Sequence, residues 1–118
     1  MTVDIRKKEG VTILDIEGRI IGSDSLALKN IIDEQVADAD EGDAKILLNL
    51  ADVRMVDSSG LGIIVATYTA VQKKGGRIAL LHPGGNIRSL IVMAKLVTIF
   101  DRYEDEDEAI ASFHRSNN

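Results

Sequence analysis

A chain of 118 residues, 45% of them hydrophobic, is long enough to bury a core of its own and is expected to form one domain, residues 1–114, with a short tail at 115–118. It has no cysteine, which excludes disulfides and thiolate metal sites and suits a reducing cytoplasm, the expected location. A net charge of −5 with scattered basic residues and no tryptophan argues against nucleic acid, and no apolar run approaches the roughly 18 residues of a membrane span.

The chain opens with Val3, Ile5 and Lys7 alternating with Asp4, Arg6 and Lys8. After Glu9-Gly10 a second run, Val11 to Gly18, sets Leu14 and Ile16 against Asp15 and Glu17, which is the pattern of a β-hairpin. A loop is expected over Gly18 to Ser25. A helix follows with Leu28, Ile31, Ile32, Val36 and Ala39 as its apolar stripe, and Ser23, Asp24 or Ser25 is available to cap it. The acidic stretch Asp38 to Asp43 ends this helix as a solvated loop.

Ala44 to Leu50 is a continuous apolar run of strand length, as expected for a strand buried on both faces. A loop, Asp52 to Ser59, is expected to lead into a helix on which Leu61, Ile64, Val65, Tyr68, Val71 and Gln72 recur at helical spacing, with Gly75-Gly76 as the stop. Ser58 and Ser59 therefore stand where a helix begins, beside unpaired backbone N–H groups and the positive end of the macrodipole. Capping accounts for one side-chain oxygen there. It does not account for Asp57, Ser58 and Ser59 in a row, nor for Gly60 and Gly62, which weaken the first turns by up to about 1 kcal/mol each relative to alanine. Small residues at that place are expected to let another molecule approach, and the stretch reads as a docking or modification site.

Arg77 to Leu81 reads as a strand. His82 to Asn86 reads as a turn into a helix with Ile87, Leu90, Ile91 and Ala94 inward and Asn86 as its cap. Val97 to Phe100 is a short strand candidate. Asp105 to Glu108 opens a last helix that buries Ala109, Ile110 and Phe113, its acids favoured by the dipole rather than by a metal. His82 and His114 have no companions at metal-ligand spacing, so no metal or other cofactor is expected. Residues from Arg115 onward are expected to fray.

The order β-β-α-β-α-β-α-β-α predicts an α/β domain on a mixed, mostly parallel sheet with right-handed crossovers. Loops that follow parallel strands gather along one edge of such a sheet, so Gly18–Ser25, Asp52–Ser59 and His82–Asn86 are expected to be neighbours.

With this order, the Asn49-Leu50-Ala51-Asp52-Val53 approach, the Asp57-Ser58-Ser59-Gly60-Leu61-Gly62 signature and the Lys73-Lys74-Gly75-Gly76 helix end, the chain resembles the STAS-domain proteins over nearly its full length. Within them it is most similar to the free-standing anti-sigma factor antagonists of bacteria. The resemblance implies a non-enzymatic partner switch. The serine after the aspartate, here Ser58 with Ser59 as second choice, is phosphorylated by an anti-sigma factor that is also a serine kinase of the histidine-kinase-like ATPase type. The unphosphorylated form binds that kinase and frees a sigma factor, phosphorylation abolishes binding, and a metal-dependent phosphatase restores it. The implied partner-facing residues are Ser23, Asp24, Asp57, Ser58, Ser59, Gly60, Leu61, Gly62, Ile63 and Gly84.

One departure stands out. Members that are kinase substrates commonly carry Gly-Glu-hydrophobic-Asp after the second strand, where this chain reads Gly18-Arg19-Ile20-Ile21, with Asp24 the next acid. Two other readings follow from the same residues. One is an accessory subunit of a transporter or signalling scaffold; the other is a serine hydrolase with Ser58 as nucleophile and His82 as base, although the Gly-x-Ser-x-Gly elbow is absent.

Overall fold

The computed structural model describes residues 1–40, 42–95 and 99–115. Strands β1 (Thr2–Lys8) and β2 (Val11–Ile20) form the antiparallel hairpin, with Lys8 opposite Val11. Glu9 and Gly10 between them both have positive φ, 51° and 80°, as a two-residue type I′ turn requires. β3 (Lys45–Val56) runs parallel to β2, β4 (Arg77–Leu81) parallel to β3, and β5 (Asp101–Tyr103) parallel to β4, giving the order β1-β2-β3-β4-β5.

Each parallel crossover thus steps in the same direction. Right-handed connections that all step one way must put their helices on one face of the sheet. α1 (Ser23–Asp38), α2 (Ser58–Lys73) and α3 (Gly85–Met93) accordingly share one core: Leu28, Ile32, Val36, Ile64, Val71, Ile87 and Ile91 meet Leu14, Ile46, Leu48 and Leu80 of the sheet. α4 (Glu106–Arg115) covers the other face, where Ala109, Ile110 and Phe113 meet Val11, Ile13, Leu47, Ala79 and Leu81. The middle of β3 is covered on both sides, as its continuous apolar run anticipates.

The acidic start of α4 is held by the hairpin. Arg6 donates to Asp15 at 2.5 Å and to Glu106 at 2.5 Å, and Lys8 reaches Asp107 at 3.3 Å. These carboxylates answer the basic side chains of β1. No group of three or more histidine or acidic side chains fit to hold a metal occurs among the described residues. On the same face Arg77 lies over the Phe113 ring at 4.9 Å and donates to Ser112 and Asp101.

Several boundaries differ from the expectations. β2 continues through Ile20 and β3 through Val56, so the expected loop at 52–59 is largely strand and the one at 18–25 is shortened by strand at its start and helix at its end; Ile20 pairs with Val56 beyond the point where β4 has ended. That extension is covered on its α1/α2 face by Ile20, Val53 and Val56 and is wet on the other. α1 begins at Gly22 as N-cap and α3 at Gly84, neither with a side-chain cap, so Ser23, Asp24, Ser25 and Asn86 do not cap these helices. Ala39 follows the end of α1 as its C-cap, and Ala94 is exposed. The last strand lies at Asp101–Tyr103 rather than at 97–100, where Phe100 is buried beside Tyr68 and Val97 and Thr98 lie outside the described residues. Arg115 closes α4 rather than opening a tail, and residues 116–118 lie outside the described residues.

The end of α2 is as read. Gly75 takes φ 72°, its N–H donates to Gln72 O, and Gly76 N–H reaches back to Val71 O, the paired bonds of a Schellman stop.

Candidate functional site

The ends of β2 and β3 and the β4–α3 turn do converge. Asp57, just past the end of β3, is extended (φ −96°, ψ −174°), and its N–H donates to Ile20 O at 3.4 Å. Its side chain then turns into the helix. Oδ1 accepts the Gly60 N–H at 2.9 Å and the Ser59 hydroxyl at 2.6 Å, so Asp57 is the N-cap of α2. The Ser59 hydroxyl foremost, then the Gly60 N–H, holds the Asp57 carboxyl below the ordinary aspartate range, and the side chain stays ionised at neutral pH.

Ser59 is tied a second time. Its Oγ lies 3.2 Å from Oγ of Ser25, a buried residue of α1. A hydroxyl has one proton, and that of Ser59 goes to Asp57, so Ser25 is the donor. Ser58 differs in its bonding. Like Ser59 it is exposed in the first turn of α2, but its hydroxyl makes no hydrogen bond to any described residue. Of the three polar side chains in the row, one caps, one braces and one points out unengaged.

The two glycines also divide. A Cβ on Gly60 would sit 2.3 Å from Ile20 O and 2.8 Å from Val56 Cγ1, so this glycine is needed for packing within the chain and not for an incoming molecule. Gly62 is exposed with nothing within 4 Å of a Cβ, and it alone of the pair leaves open room for a visitor. Leu61 and Ile63 are half-buried and pack against the core. Ser23 is exposed and Asp24 half-buried in the first turn of α1, next to the Ser25 brace, and Gly84 is exposed at the start of α3.

His82 lies in the turn after β4 with φ 52°. Its Nδ1 is 3.3 Å from Glu104, and no hydrogen bond links it to Ser58 or Ser59, so the pairing a serine hydrolase needs is not formed. A cavity of about 340 Å³ lies toward the opposite end of the sheet, by Lys45, Arg77 and Phe113, away from Ser58.

Three features escape the sequence reading. Ser25 is a brace rather than a cap, Asn86 accepts the Val56 N–H at 2.8 Å, and Leu26 and Met55 are exposed apolar side chains next to the converging segments. Only the apolar pair left a signal, since each breaks the burial pattern of its element.

Comparison with known proteins accords with this geometry. The STAS domain family model matches residues 2–109. An anti-sigma F factor antagonist from Paenibacillus polymyxa is 26% identical over 110 residues, covering 93% of this chain and 92% of that one. An anti-sigma-B factor antagonist from Bacillus subtilis is 29% identical over 101 residues, covering 86% and 89%. The crystal structure of an anti-sigma factor antagonist from Mycobacterium paratuberculosis superposes with a TM-score of 0.83 at 26% identity, covering 96% and 93%. With a family match running from the first strand into the last helix, and a sheet order and helix placement shared with solved relatives, the chain belongs to the STAS-domain family.

Proposed function

We propose that this chain is an anti-sigma factor antagonist that acts as a phosphorylation-controlled partner switch, with Ser58 as the acceptor and no catalysis of its own. The observation that carries the reading is the contrast in bonding between two exposed serines: the Ser59 hydroxyl is held by Asp57 and Ser25, whereas that of Ser58 is uncommitted at the start of α2. A kinase can take the Ser58 hydroxyl without first breaking an internal bond. Phosphoryl transfer forms the bond from Ser58 Oγ to the γ-phosphorus of ATP carried by the partner, ADP leaves, and the hydroxyl proton passes to a base of the partner or to solvent.

A phosphate there adds about −1.5 to −2 charge units beside the ionised Asp57. The helix terminus tolerates it, so the fold is retained. A partner shaped for a bare hydroxyl does not tolerate it, and about 2.8 kcal/mol of repulsion and desolvation suffices to weaken binding a hundredfold. The partner that fits is an anti-sigma factor and serine kinase of the histidine-kinase-like ATPase type, with a metal-dependent phosphatase to reset the serine. Ser23, Asp24, Leu61, Gly62, Ile63 and Gly84 complete the docking surface around Asp57, Ser58 and Ser59. The acid common in the family near Ile21 is missing from this chain, and that departure bears on which such partner binds.

The test is a pull-down from the native host with Ser58→Ala and Ser58→Asp proteins as paired baits and mass spectrometry as the readout. A histidine-kinase-like ATPase held by the alanine bait and missing from the aspartate bait is the expected result. Equal capture by both baits, or capture only of a membrane complex, overturns the reading.

A further inference from the structure

β3 outlasts its neighbour. Its ladder to β4 ends at Asn49 opposite Leu81, whereas its ladder to β2 continues to Val56 opposite Ile20. Over that extension one flank of β3 has no strand beside it. Backbone N–H groups alternate sides along a strand, and Asp57 N–H points toward β2, to Ile20 O. Val56 N–H therefore points the other way, into the gap left by β4. An unpaired donor at a partly buried strand end is costly.

Asn86, the second residue of α3, fills the gap. Its Oδ1 accepts the Val56 N–H at 2.8 Å, taking the place of a carbonyl that β4 no longer supplies. The donor identifies the acceptor as the amide oxygen, since the amide nitrogen cannot accept. Val56 is the last ordered strand residue before the capping Asp57 and the exposed Ser58. The opposite flank is fixed by the Asp57 to Ile20 bond and by the close seat of Gly60 on Ile20 O. The acceptor turn is thus gripped from both sides, by β2 through backbone and by α3 through one side chain.

We propose that Asn86 is a positioning residue for Ser58, a latch from α3 that stands in for the missing strand and holds the acceptor turn in the geometry its partner reads. This rests on the assignment of Ser58 as acceptor, yet the latch itself is a property of the isolated protein. The side-chain acceptor is what matters, so aspartate at this position keeps the latch and alanine removes it.

Amide hydrogen exchange by NMR on the free protein decides it. In Asn86→Ala, Val56 is expected to lose about tenfold in protection. Asp57, Ser59 and Gly60 should shift with it, and the Asp57 carboxyl should titrate closer to the ordinary aspartate range as its bonds to Ser59 and Gly60 loosen. Amides of α4 should not change, and Asn86→Asp should restore Val56. If Asn86→Ala fails to fold, Asn86→Ser, too short to reach Val56, carries the same comparison. Unchanged Val56 protection, or a loss spread equally through α4, overturns the latch. With the latch established, the ATPase captured by the Ser58→Ala bait should bind Asn86→Ala several-fold more weakly than wild type and Asn86→Asp nearly as well. Equal binding to all three overturns the link to Ser58 and leaves the switch itself standing. Failure to capture any ATPase strikes at the switch and not at the latch.

Discussion

Asp57 accepts both the Gly60 N–H and the Ser59 hydroxyl, and Ser59 in turn receives the hydroxyl of buried Ser25. Truncating Ser59 to alanine leaves Ser25 buried without its partner and is expected to cost about 1 kcal/mol. Ser58 holds nothing, so Ser58→Ala and Ser58→Asp should each stay within about 0.5 kcal/mol of wild type. Chemical denaturation of the three variants checks the order, and a larger loss at Ser58 than at Ser59 would show that Ser58 is the braced residue. Gly60→Ala drives a methyl into Ile20 O and Val56 and should cost about 2–3 kcal/mol, whereas Gly62→Ala, with open space around it, should be neutral or slightly stabilising. Thermal melts of the two glycine variants separate them. The row of polar residues stood out in the sequence as more than one cap requires. Which serine is free was not, because the answer depends on Ser25, a residue 34 positions away on another helix that periodicity alone does not place against α2.

α4 is docked by a small apolar cluster and by the Arg6, Asp15 and Glu106 group, and Arg6 foremost holds both carboxyls below their ordinary ranges. A carboxyl depressed in the folded state contributes stability that is complete above its unfolded value, near pH 4, and is lost as pH falls through the folded value. Wild type should therefore exceed Arg6→Ala by about 1 kcal/mol at pH 6, with the gap closing below about pH 4. Urea titrations of both proteins in steps downward from pH 6 measure it, and a gap that does not narrow at all as pH falls would assign the role of Arg6 to packing. Helices were the more legible elements because their apolar stripes repeat. Strand lengths were less so. Residues 51–55 of β3 include Asp52 and Arg54, and their wet outer face hides the strand, while β5, Asp101-Arg102-Tyr103, is an edge strand held by a partner's backbone with hardly any apolar signal of its own.

At the scale of the molecule, parallel strands joined by same-direction crossovers bring three chain segments to one end of the sheet, and α2 begins there. That convergence followed from element order alone, and the structure joins the segments by the Asp57 to Ile20, Ser25 to Ser59 and Asn86 to Val56 bonds. The fold thus sets the unengaged hydroxyl of Ser58 at a helix N-terminus, on the exposed surface of the molecule. The most direct measurement on the central claim is phosphosite mapping of the chain purified from its native host, with and without phosphatase treatment, wild type beside Ser58→Ala. The account predicts a phosphatase-sensitive phosphate on Ser58 and none on the Ser58→Ala protein. Phosphate on Ser59 in either protein, or no phosphate on wild type under any growth condition, would contradict it.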